Sequence, residues 1–333
     1  MRAVILVDQE MYDANDPDFS NHVPQKYYDA EFHVSVALKK MGYRVVAIPA
    51  TPDLTRLLRA IKAAKPHFVF NLVEHIGGNR SSDFMIPGLL EIEGIPCTGA
   101  PAASLMICRD KHLSKLVVAK AGVPVPRSFV PKSRAAVRLA EPRFPIVVKP
   151  SDQDGSEGIH EDAYVTDMKG LFRQVERASG KFADPVICEE YIDGRELIVT
   201  LFGIEKVTVG SVRELVFPPR ARVKFATERV KFDAQYKRRH GIYYRTPTQL
   251  LASMKGEVER IARLAYDALG IESYAKLEFR VRNREVVFIE ANPNSNISRR
   301  ATTTDFGVIG YERFIRKVIA MAFERHARRQ PRP

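Results

Sequence analysis

Three oxygen-bearing side chains near the end of the chain have the spacing of ligands for a hard cation. Glu278 interrupts an alternating segment at 275–281, Glu290 follows the apolar run 285–289, and Asn292 comes two residues later. The two segments predict strands joined by a tight polar turn. Two carboxylates and an amide oxygen in a half-buried sheet repel one another unless a cation lies between them, and all-oxygen ligation suits Mg²⁺. The alternative is a solvated hairpin with ordinary surface glutamates.

The pairing register of this hairpin decides whether the three side chains meet. Successive residues of a strand point to opposite faces, so a shift of one residue moves a side chain to the other face. A three-residue turn at 282–284 would pair Val281 with Glu285. The even-numbered residues that would then share one face are Lys276, Glu278, Glu290 and Asn292. A two-residue turn would place Glu278 on the opposite face, so the metal prediction depends on the three-residue turn.

The composition limits the class of protein. The 333 residues are enough for two or three domains, and 45% apolar with 28% charged residues is typical of a soluble globular protein. No apolar run is long enough to span a membrane. The first segment reaches an acidic residue at Asp8 and is expected to be a strand, not a signal peptide. The three cysteines form no CxxC pair, which indicates neither a disulfide framework nor a zinc site, and we expect a cytoplasmic protein.

The net charge of +12 is unevenly distributed. Residues 1–106 carry 10 Lys/Arg and 12 Asp/Glu, whereas the remainder carries 42 and 28. The basic excess therefore lies in the part that holds the predicted hairpin. This favours a polyanionic ligand, either nucleotide phosphates or nucleic acid. The sequence contains no zinc finger, basic zipper or ribonucleoprotein motif, and the basic tail is also typical of a solvated end.

The first 106 residues alternate strand and helix signals. The predicted elements are, in order, strand 3–7, helix 27–41, strand 44–48, helix 54–64 and strand 67–72. This βαβαβ order predicts a parallel doubly wound sheet. Ligands bind at the carboxyl ends of such strands, so the polar loop 74–83 is a candidate wall of a substrate site. A loop that only connects two elements would have the same polar, glycine-containing composition.

Two lysines and a glycine-containing turn are candidate phosphate contacts. Lys149 ends the predicted strand 144–149 and precedes a small-residue turn at 150–159, whose backbone N–H groups can approach phosphate oxygens. Lys111 lies in the first turn of the predicted helix 109–121, a poor position for a cation unless an anion is near. Each feature alone is equally typical of a hairpin tip or a solvent-facing lysine.

Two later segments could complete a nucleotide site. The predicted strand 186–188 runs into acidic residues at 189–196, which can hydrogen-bond an adenine edge and ribose hydroxyls. The strongly basic segment 220–239 has no clear period, and we predict a mobile loop that closes over an anionic site. The alternatives are a solvated edge strand and a surface loop. Amphipathic helices are predicted at 257–269 and 311–323.

Taken in this order, the segments resemble the ATP-grasp superfamily and, within it, the D-alanine–D-alanine ligase group. The likeness is closest over residues 67–298. The matching segments include FNLVEHIGG, FPIVVKPSDQDGSEGI, VICEEYIDGRE, KFDAQYK and YAKLEFRV followed by VVFIEANPN. Any one of them is a weak signal, whereas five in the correct order at plausible spacing are specific.

The resemblance implies an α/β fold with an α+β C-terminal part, in three domains. They are a doubly wound parallel-sheet domain at 1–106, a small central lid domain with a phosphate-covering loop at 107–186, and an antiparallel-sheet domain with the metal site at 187–330. It also implies ATP and two Mg²⁺ ions as cofactors, with Mn²⁺ as a substitute. The implied partners are an amino-acid or peptide carboxylate and an amine, in a homodimer without membrane or nucleic-acid contacts.

The resemblance also implies roles for individual residues. The nucleotide contacts are Lys111 and Lys149 for phosphates, Ser156 in the covering loop, Glu189 and Ile192 for adenine, Glu196 for ribose and Lys237 for the γ-phosphate. The metal ligands are Glu278, Glu290 and Asn292, although the family usually has Asp at the first position. Lys276 falls where D-alanine ligases place an arginine that stabilises the oxyanion, and it lacks the planar fork of arginine. Arg299 or Arg300 is a candidate for gripping a substrate carboxylate.

The departures from the family fall on the segments that contact substrate. D-alanine ligases carry a glutamate in an early REVS-like segment, which DQEMYDANDPDF does not match, and PNSN replaces TxPG after the metal asparagine. The resemblance therefore implies an ATP-dependent carboxylate–amine ligase that acts through an acylphosphate, without naming the substrates. D-alanine–D-alanine ligase itself is the first alternative. A non-catalytic nucleotide- or nucleic-acid-binding protein is the second.

Overall fold

Three β-sheets organise the chain in the computed structural model. The structure describes residues 1–21, 30–151, 156, 158–182, 185–299, 301 and 310–329. Its strands are, in chain order, β1 (Arg2–Asp8), β2 (Arg44–Ala50), β3 (Phe68–Asn71), β4 (Ser128–Phe129), β5 (Ile146–Pro150), β6 (Tyr164–Val165), β7 (Val186–Glu190), β8 (Arg195–Phe202), β9 (Thr208–Val216), β10 (Tyr243–Arg245), β11 (Tyr274–Arg282) and β12 (Glu285–Asn292).

Helices cover the faces of these sheets. They are α1 (Ala30–Lys40), α2 (Leu54–Ala64), α3 (Met85–Ile92), α4 (Ala102–Arg109), α5 (Lys111–Lys120), α6 (Arg134–Leu139), α7 (Met168–Phe182), α8 (Glu228–Phe232), α9 (Ala234–His240), α10 (Thr248–Ala268) and α11 (Tyr311–Arg329). None of the described helices combines the length and the apolar character that crossing a bilayer requires.

The N-terminal sheet is parallel, with strand order β2-β1-β3, as the βαβαβ pattern predicts. Both faces of β1 are buried: α1 and α11 pack on one side, and α2 and α3 pack on the other. A parallel sheet that is covered on both faces needs continuous apolar strands, which explains the unbroken run in β1. The first predicted helix begins at Ala30 in the structure, and residues 22–29 lie outside the described part of the chain.

The other two sheets are antiparallel and lie on either side of one cavity. The central sheet has the order β4-β7-β5-β6, with α7 packed on it. The C-terminal sheet has the order β10-β9-β8-β11-β12, and α4, α5 and α10 cover its apolar face. Strands from both sheets line the cavity, so the mixed α/β class with antiparallel C-terminal part is the observed architecture.

The basic segment 220–239, which has no clear period and which we predicted to be a mobile loop, contains α8 and nearly all of α9. Thr227 Oγ1 accepts a hydrogen bond from the N–H of Val230, and Asp233 Oδ1 accepts one from the N–H of Tyr236. Side-chain caps of this kind satisfy the free N–H groups of a helix N-terminus. Each helix is too short to show a hydrophobic period, which is why the periodicity analysis missed both.

Candidate active site

The hairpin formed by β11 and β12 has a two-residue turn, and not the three-residue turn on which the metal prediction depended. Arg282 pairs with Glu285, and the turn residues Asn283 and Arg284 have φ values of 48° and 69°. These left-handed conformations are typical of a type I′ hairpin turn. The turn alone would put Glu278 and Glu290 on opposite faces.

A bulge brings Glu278 and Glu290 to the shared face that the metal prediction requires. Phe279 pairs with Phe288, whereas Glu278 pairs with Glu290, so Ile289 is an extra residue in β12. A one-residue bulge moves every later side chain of the strand to the other face. Lys276 is therefore opposite Asn292. The side chains that share the cavity side of the sheet, all half-buried, are Lys276, Glu278, Glu290 and Asn292.

Three lysines surround the facing carboxylates. Lys231 Nζ lies 3.0 Å from Glu278 Oε1 and 3.9 Å from Glu290 Oε1. Lys111 Nζ and Lys149 Nζ each lie 4.0 Å from Glu290 Oε2. Burial alone would raise the pKa of Glu290, but the three lysines outweigh it and lower the pKa to about 2. Glu290 is thus held ionised by surrounding positive charge.

Local capping positions Lys111 at the start of α5. Asp110 is the N-cap, and its Oδ1 accepts hydrogen bonds from the N–H groups of His112 and Leu113 at 2.8 and 2.9 Å. The carboxylate satisfies the free N–H groups of the first turn, so the helix begins at Lys111. Lys111 itself is 4% exposed and points toward Glu290. A lysine in the first turn interacts unfavourably with the helix dipole, and the nearby carboxylate of Glu290 compensates for this cost.

Lys149 and Glu189 form a buried pair between β5 and β7. Lys149 Nζ lies 2.8 Å from Glu189 Oε2. Burial would lower the pKa of Lys149, but Glu189 and Glu290 raise it above its usual value. Burial would likewise raise the pKa of Glu189, but Lys115 and Lys149 lower it. Both groups are therefore charged, and the pair fixes the wall of the cavity.

Lys115 is a central residue that the sequence analysis missed. Its Nζ lies 2.6 Å from Glu189 Oε1 and donates to the carbonyl oxygen of Ile289 at 2.6 Å. It is 1% exposed, and burial lowers its pKa to about 8. The signal was available, because Lys115 follows Lys111 by four residues and such residues share a helix face. Lys115 links the bulge in β12 to the central sheet.

The cavity between the two antiparallel sheets has a volume of about 560 Å³. Its lining includes the predicted nucleotide contacts Lys149, Ser156, Glu189, Ile192 and Glu196, together with Glu278 and Glu290. An apolar cleft with a few convergent polar groups is the usual form of a nucleotide or small-ligand site. Most of the residues that the resemblance selected are therefore brought to one place.

Arg280 is a further cationic residue of this cavity. Its Nη2 lies 2.8 Å from Glu196 Oε2, its Nη1 donates to Gly194 O at 3.0 Å, and its guanidinium lies 5.5 Å from the ring centre of Tyr191. Burial raises the pKa of Glu196 to about 7 even though Arg280 opposes the shift. Arg280 occupies an even-numbered position of β11, which is the signal that it faces the cavity.

Lys237 lies away from the carboxylates in the structure, and its role as a contact of the γ-phosphate stays a prediction. Its Nζ lies 5.6 Å from the ring centre of Tyr244, and α9 carries it there. Lys231, six residues earlier and in α8, contacts Glu278 instead. The segment KFDAQYK has a lysine at each end, and only the break between α8 and α9 at Asp233 decides which one points inward.

The two arginines after the hairpin were proposed to grip a substrate carboxylate. Arg299 is ion-paired with Glu312, and its guanidinium lies 4.8 Å from the ring centre of Tyr311. It is thus held at the start of α11 by two residues of that helix. Arg300 lies outside the described residues.

A second cavity of about 820 Å³ lies at the carboxyl edge of the parallel sheet. The predicted loop 74–83 forms part of its wall, through Glu74, His75 and Arg80. Asn294 connects it to the hairpin: its N–H donates to Asn292 Oδ1 at 2.9 Å, and its Nδ2 donates to Val73 O at 2.8 Å. The second cavity therefore borders the predicted metal asparagine.

Two antiparallel sheets that enclose a cavity, with facing acids and three neighbouring lysines at its edge, are the arrangement expected of an ATP-grasp enzyme. The family model for the C-terminus of D-ala D-ala ligase matches residues 123–319. The chain belongs to this family. The ATP-grasp enzymes of this family are ligases.

Similar proteins span different shares of the chain. The chain is 33% identical over 184 residues to the uncharacterized protein y4sG of Sinorhizobium fredii, which covers 53% of this chain and 52% of the relative. The chain therefore spans about half the length of that relative. It is 30% identical over 251 residues to the D-alanine--D-alanine ligase of Cereibacter sphaeroides, covering 74% of this chain and 72% of that protein.

The solved structures show the same fold. The crystal structure of D-alanine--D-alanine ligase from Bacillus anthracis complexed with ATP superimposes with a TM-score of 0.71 at 20% identity. The alignment covers 98% of this chain and 99% of that chain.

Proposed function

We propose that the protein is an ATP-dependent ligase that joins an amino-acid or peptide carboxylate to an amine. The observation that carries the proposal is the pair Glu278 and Glu290, which face each other beside the 560 Å³ cavity and are surrounded by Lys111, Lys149 and Lys231. A cluster of fixed cations next to facing acids is suited to bind a polyphosphate together with divalent metal ions.

The residues present fit a magnesium site. The donor set is all oxygen, and Lys231 Nζ lies within 3.0 and 3.9 Å of the two carboxylates, at a place where the acids require positive charge. Glu278, Glu290 and Asn292 would hold the ions, which when bound supply charge neutralisation to the phosphates. Asn292 Oδ1 is oriented by the N–H of Asn294, a contact that fixes its direction.

The proposed reaction proceeds in two steps. A substrate carboxylate oxygen attacks the terminal phosphorus of ATP; the bond from that phosphorus to ADP breaks, and an acylphosphate forms. The amine then attacks the carbonyl carbon, the carbon–oxygen bond to phosphate breaks, and the amine loses a proton as the amide forms. Lys111, Lys149 and Lys231 would neutralise charge on the transferred group, and Lys276 would stabilise the oxyanion of the second step.

The contacts of the covering segment support the exclusion of water from this reaction. Gly158 N donates to Glu228 Oε2 at 2.9 Å, and Glu228 N donates to Ile159 O at 3.0 Å. Tyr236 OH donates to Glu161 Oε1 at 2.7 Å. These bonds tie the phosphate-covering turn to α8 and α9 above the cavity, and water would otherwise hydrolyse an acylphosphate.

An ADP-release assay over pairs of amino acids and dipeptides, with and without Mg²⁺, tests the proposal. We expect Mg²⁺-dependent ADP release that requires both a carboxylate and an amine substrate. Release driven by D-alanine alone would identify D-alanine–D-alanine ligase activity, which the relatives' names favour. ATP binding without substrate-dependent turnover across the panel would contradict the ligase proposal.

A further inference from the structure

Arg280 and Glu196 form a buried ion pair in the wall of the cavity between the two antiparallel sheets. The two residues are direct partners in the ladder of β11 and β8, so their side chains lie on the same face of the C-terminal sheet. Both are 5% exposed, and Arg280 Nη2 lies 2.8 Å from Glu196 Oε2. Separating a buried pair is costly, because each charge is then left in a medium of low polarity. The pair therefore restricts the direction of the Glu196 carboxylate.

The guanidinium group of Arg280 is itself held by further contacts. Its Nη1 donates to Gly194 O at 3.0 Å, and its Nη2 also donates to Lys224 O. The ring of Tyr191 lies beside it, with the ring centre 5.5 Å away. A guanidinium carries five N–H donors in one rigid plane, whereas the single ammonium group of a lysine has no such fork. The contacts therefore fix the orientation of the arginine that pairs with Glu196.

These contacts join Glu196 to the two segments that border it. Gly194 lies in the turn just before β8, and a Cβ at this position would come within 2.3 Å of Val281 O, so the turn packs closely against β11. Lys224 belongs to the covering segment 220–239, ahead of α8. Arg280 thus connects the turn, the acid and the covering segment through one side chain.

We propose that Arg280 is a positioning residue, which holds the Glu196 carboxylate in the direction needed to accept hydrogen bonds from the ribose hydroxyls of the nucleotide. This inference rests on the proposed ligase function, in which ATP fills the cavity and Glu196 receives its ribose. A carboxylate accepts about four hydrogen bonds. Arg280 and the backbone N–H of Ala226 use part of this capacity, and the two hydroxyls of a ribose would use the rest.

Binding calorimetry with ADP, 2′-deoxy-ADP and 3′-deoxy-ADP, each with Mg²⁺, tests the proposal without requiring turnover. The ribose preference is defined as the affinity for ADP divided by the affinity for the more weakly bound deoxynucleotide. We expect a preference of at least about tenfold in the wild type, because a missing hydroxyl leaves a buried carboxylate oxygen without its partner. Arg280→Met should reduce the preference to less than about threefold, since the carboxylate is no longer held in one direction.

Arg195→Met is the matched control. Arg195 also pairs with a glutamate of the neighbouring strand, its Nε lying 2.6 Å from Glu214 Oε1, but it is outside the described lining of the cavity. Its replacement should leave the ribose preference unchanged. A loss of folded protein lowers the number of binding sites for all three nucleotides alike, so it does not change the ratio of their affinities.

Two further variants show whether Arg280 acts through Glu196. Glu196→Gln should by itself reduce the ribose preference to less than about threefold, and adding Arg280→Met to it should cause no further reduction. Arg280→Lys keeps the charge without the planar fork and should lower the preference at least about threefold relative to wild type. The lysine variant decides the question if the methionine variant does not fold.

The outcomes separate this inference from the proposed function. A wild-type ribose preference that survives in the Arg280 variants overturns the inference, as does a wild type that binds all three nucleotides equally. Mg²⁺-dependent ADP release by the wild type, together with either of these results, leaves the ligase intact and refutes the positioning role. A preference that depends on Arg280, without substrate-dependent ADP release, supports the positioning role and refutes the ligase. Failure to bind any of the three nucleotides refutes both.

Discussion

Glu278 lies directly opposite Glu290 in the β11–β12 ladder, although the turn that joins the strands has the wrong length for this pairing. Ile289, the extra residue of β12, corrects the register between the turn and the acids. Its carbonyl oxygen accepts a hydrogen bond from Lys115 Nζ at 2.6 Å. The position of the candidate metal ligands therefore depends on a bulge that is bonded to a buried lysine on another element.

Replacing Lys115 tests this dependence. Lys115→Met should lower the free energy of unfolding by about 2–4 kcal/mol, because Ile289 O and one oxygen of Glu189 lose a buried partner. ADP release should fall as well, since the bulge is no longer fixed. Urea unfolding and the coupled assay measure the two effects. Lys120→Met, an exposed lysine of the same helix, is the control, and an equal effect of both substitutions would contradict the proposed link.

A substitution in the β11–β12 turn should raise the free energy of unfolding. Arg284 has φ 69°, which costs a side-chain-bearing residue roughly 1 kcal/mol, and an Asn-Gly pair is favoured in a type I′ turn. Arg284→Gly should therefore stabilise the protein by about 0.5–1 kcal/mol in urea unfolding, with ADP release unchanged. Arg284→Ala removes the same side chain without relieving the backbone and should give no gain. A destabilised glycine variant would show that the turn differs from the one described.

The two lysines of KFDAQYK can be compared as a matched pair. Lys231→Met should lower turnover by about 100-fold or more, because it removes the cation that contacts Glu278 and Glu290. Lys237→Met should change turnover by less than about threefold, since Lys237 lies against Tyr244. Steady-state ADP release with saturating ATP measures both. The reverse order of effects would favour Lys237, and not Lys231, as the phosphate contact.

Acid unfolding should report the charge on Glu290. Its folded pKa of about 2 is below the ordinary value of 4.5, so its ionisation contributes stability above about pH 4.5 that is lost as the pH falls toward 2. The Glu290→Gln variant has no carboxylate at this position, so this contribution is absent from it at every pH. The difference in unfolding free energy between wild type and variant should therefore shrink from pH 5 to pH 3, measured by urea titration without nucleotide. A difference that stays constant over this range would mean that the lysines do not hold the carboxylate ionised.

Elements with a clear apolar period could be predicted from the sequence. The helix at Leu54–Ala64 and the strands of the parallel sheet follow the predicted ranges within a few residues, because burial on both faces requires continuous apolar runs. Helix α10 begins at Thr248, nine residues before the predicted start, and α11 continues to Arg329. Polar surface residues at helix ends carry no period, so both ends were placed too far inward.

The site was only partly predictable for a different reason. Residues of strands and capped helices, such as Lys149 and Lys111, are positioned by local rules that can be read from a sequence. Lys231 and Lys115 acquire their surroundings from segments far away in the chain. The prediction that Glu278 and Glu290 share one face of the hairpin was conditional on a three-residue turn. In the structure the turn has two residues, and a bulge brings the two acids to the same face and directly opposite each other. The shared face therefore agrees with the structure, whereas the register that was expected to produce it does not.

The comparison of wild type with Glu290→Gln in Mg²⁺-dependent ADP release tests the central proposal most directly. The substitution keeps the shape of the side chain and removes the charge that faces Glu278 and three lysines. The account predicts a loss of turnover of at least about 100-fold, with circular dichroism at neutral pH showing a folded protein. Turnover within a few-fold of wild type, at the same Mg²⁺ and ATP concentrations, would contradict it.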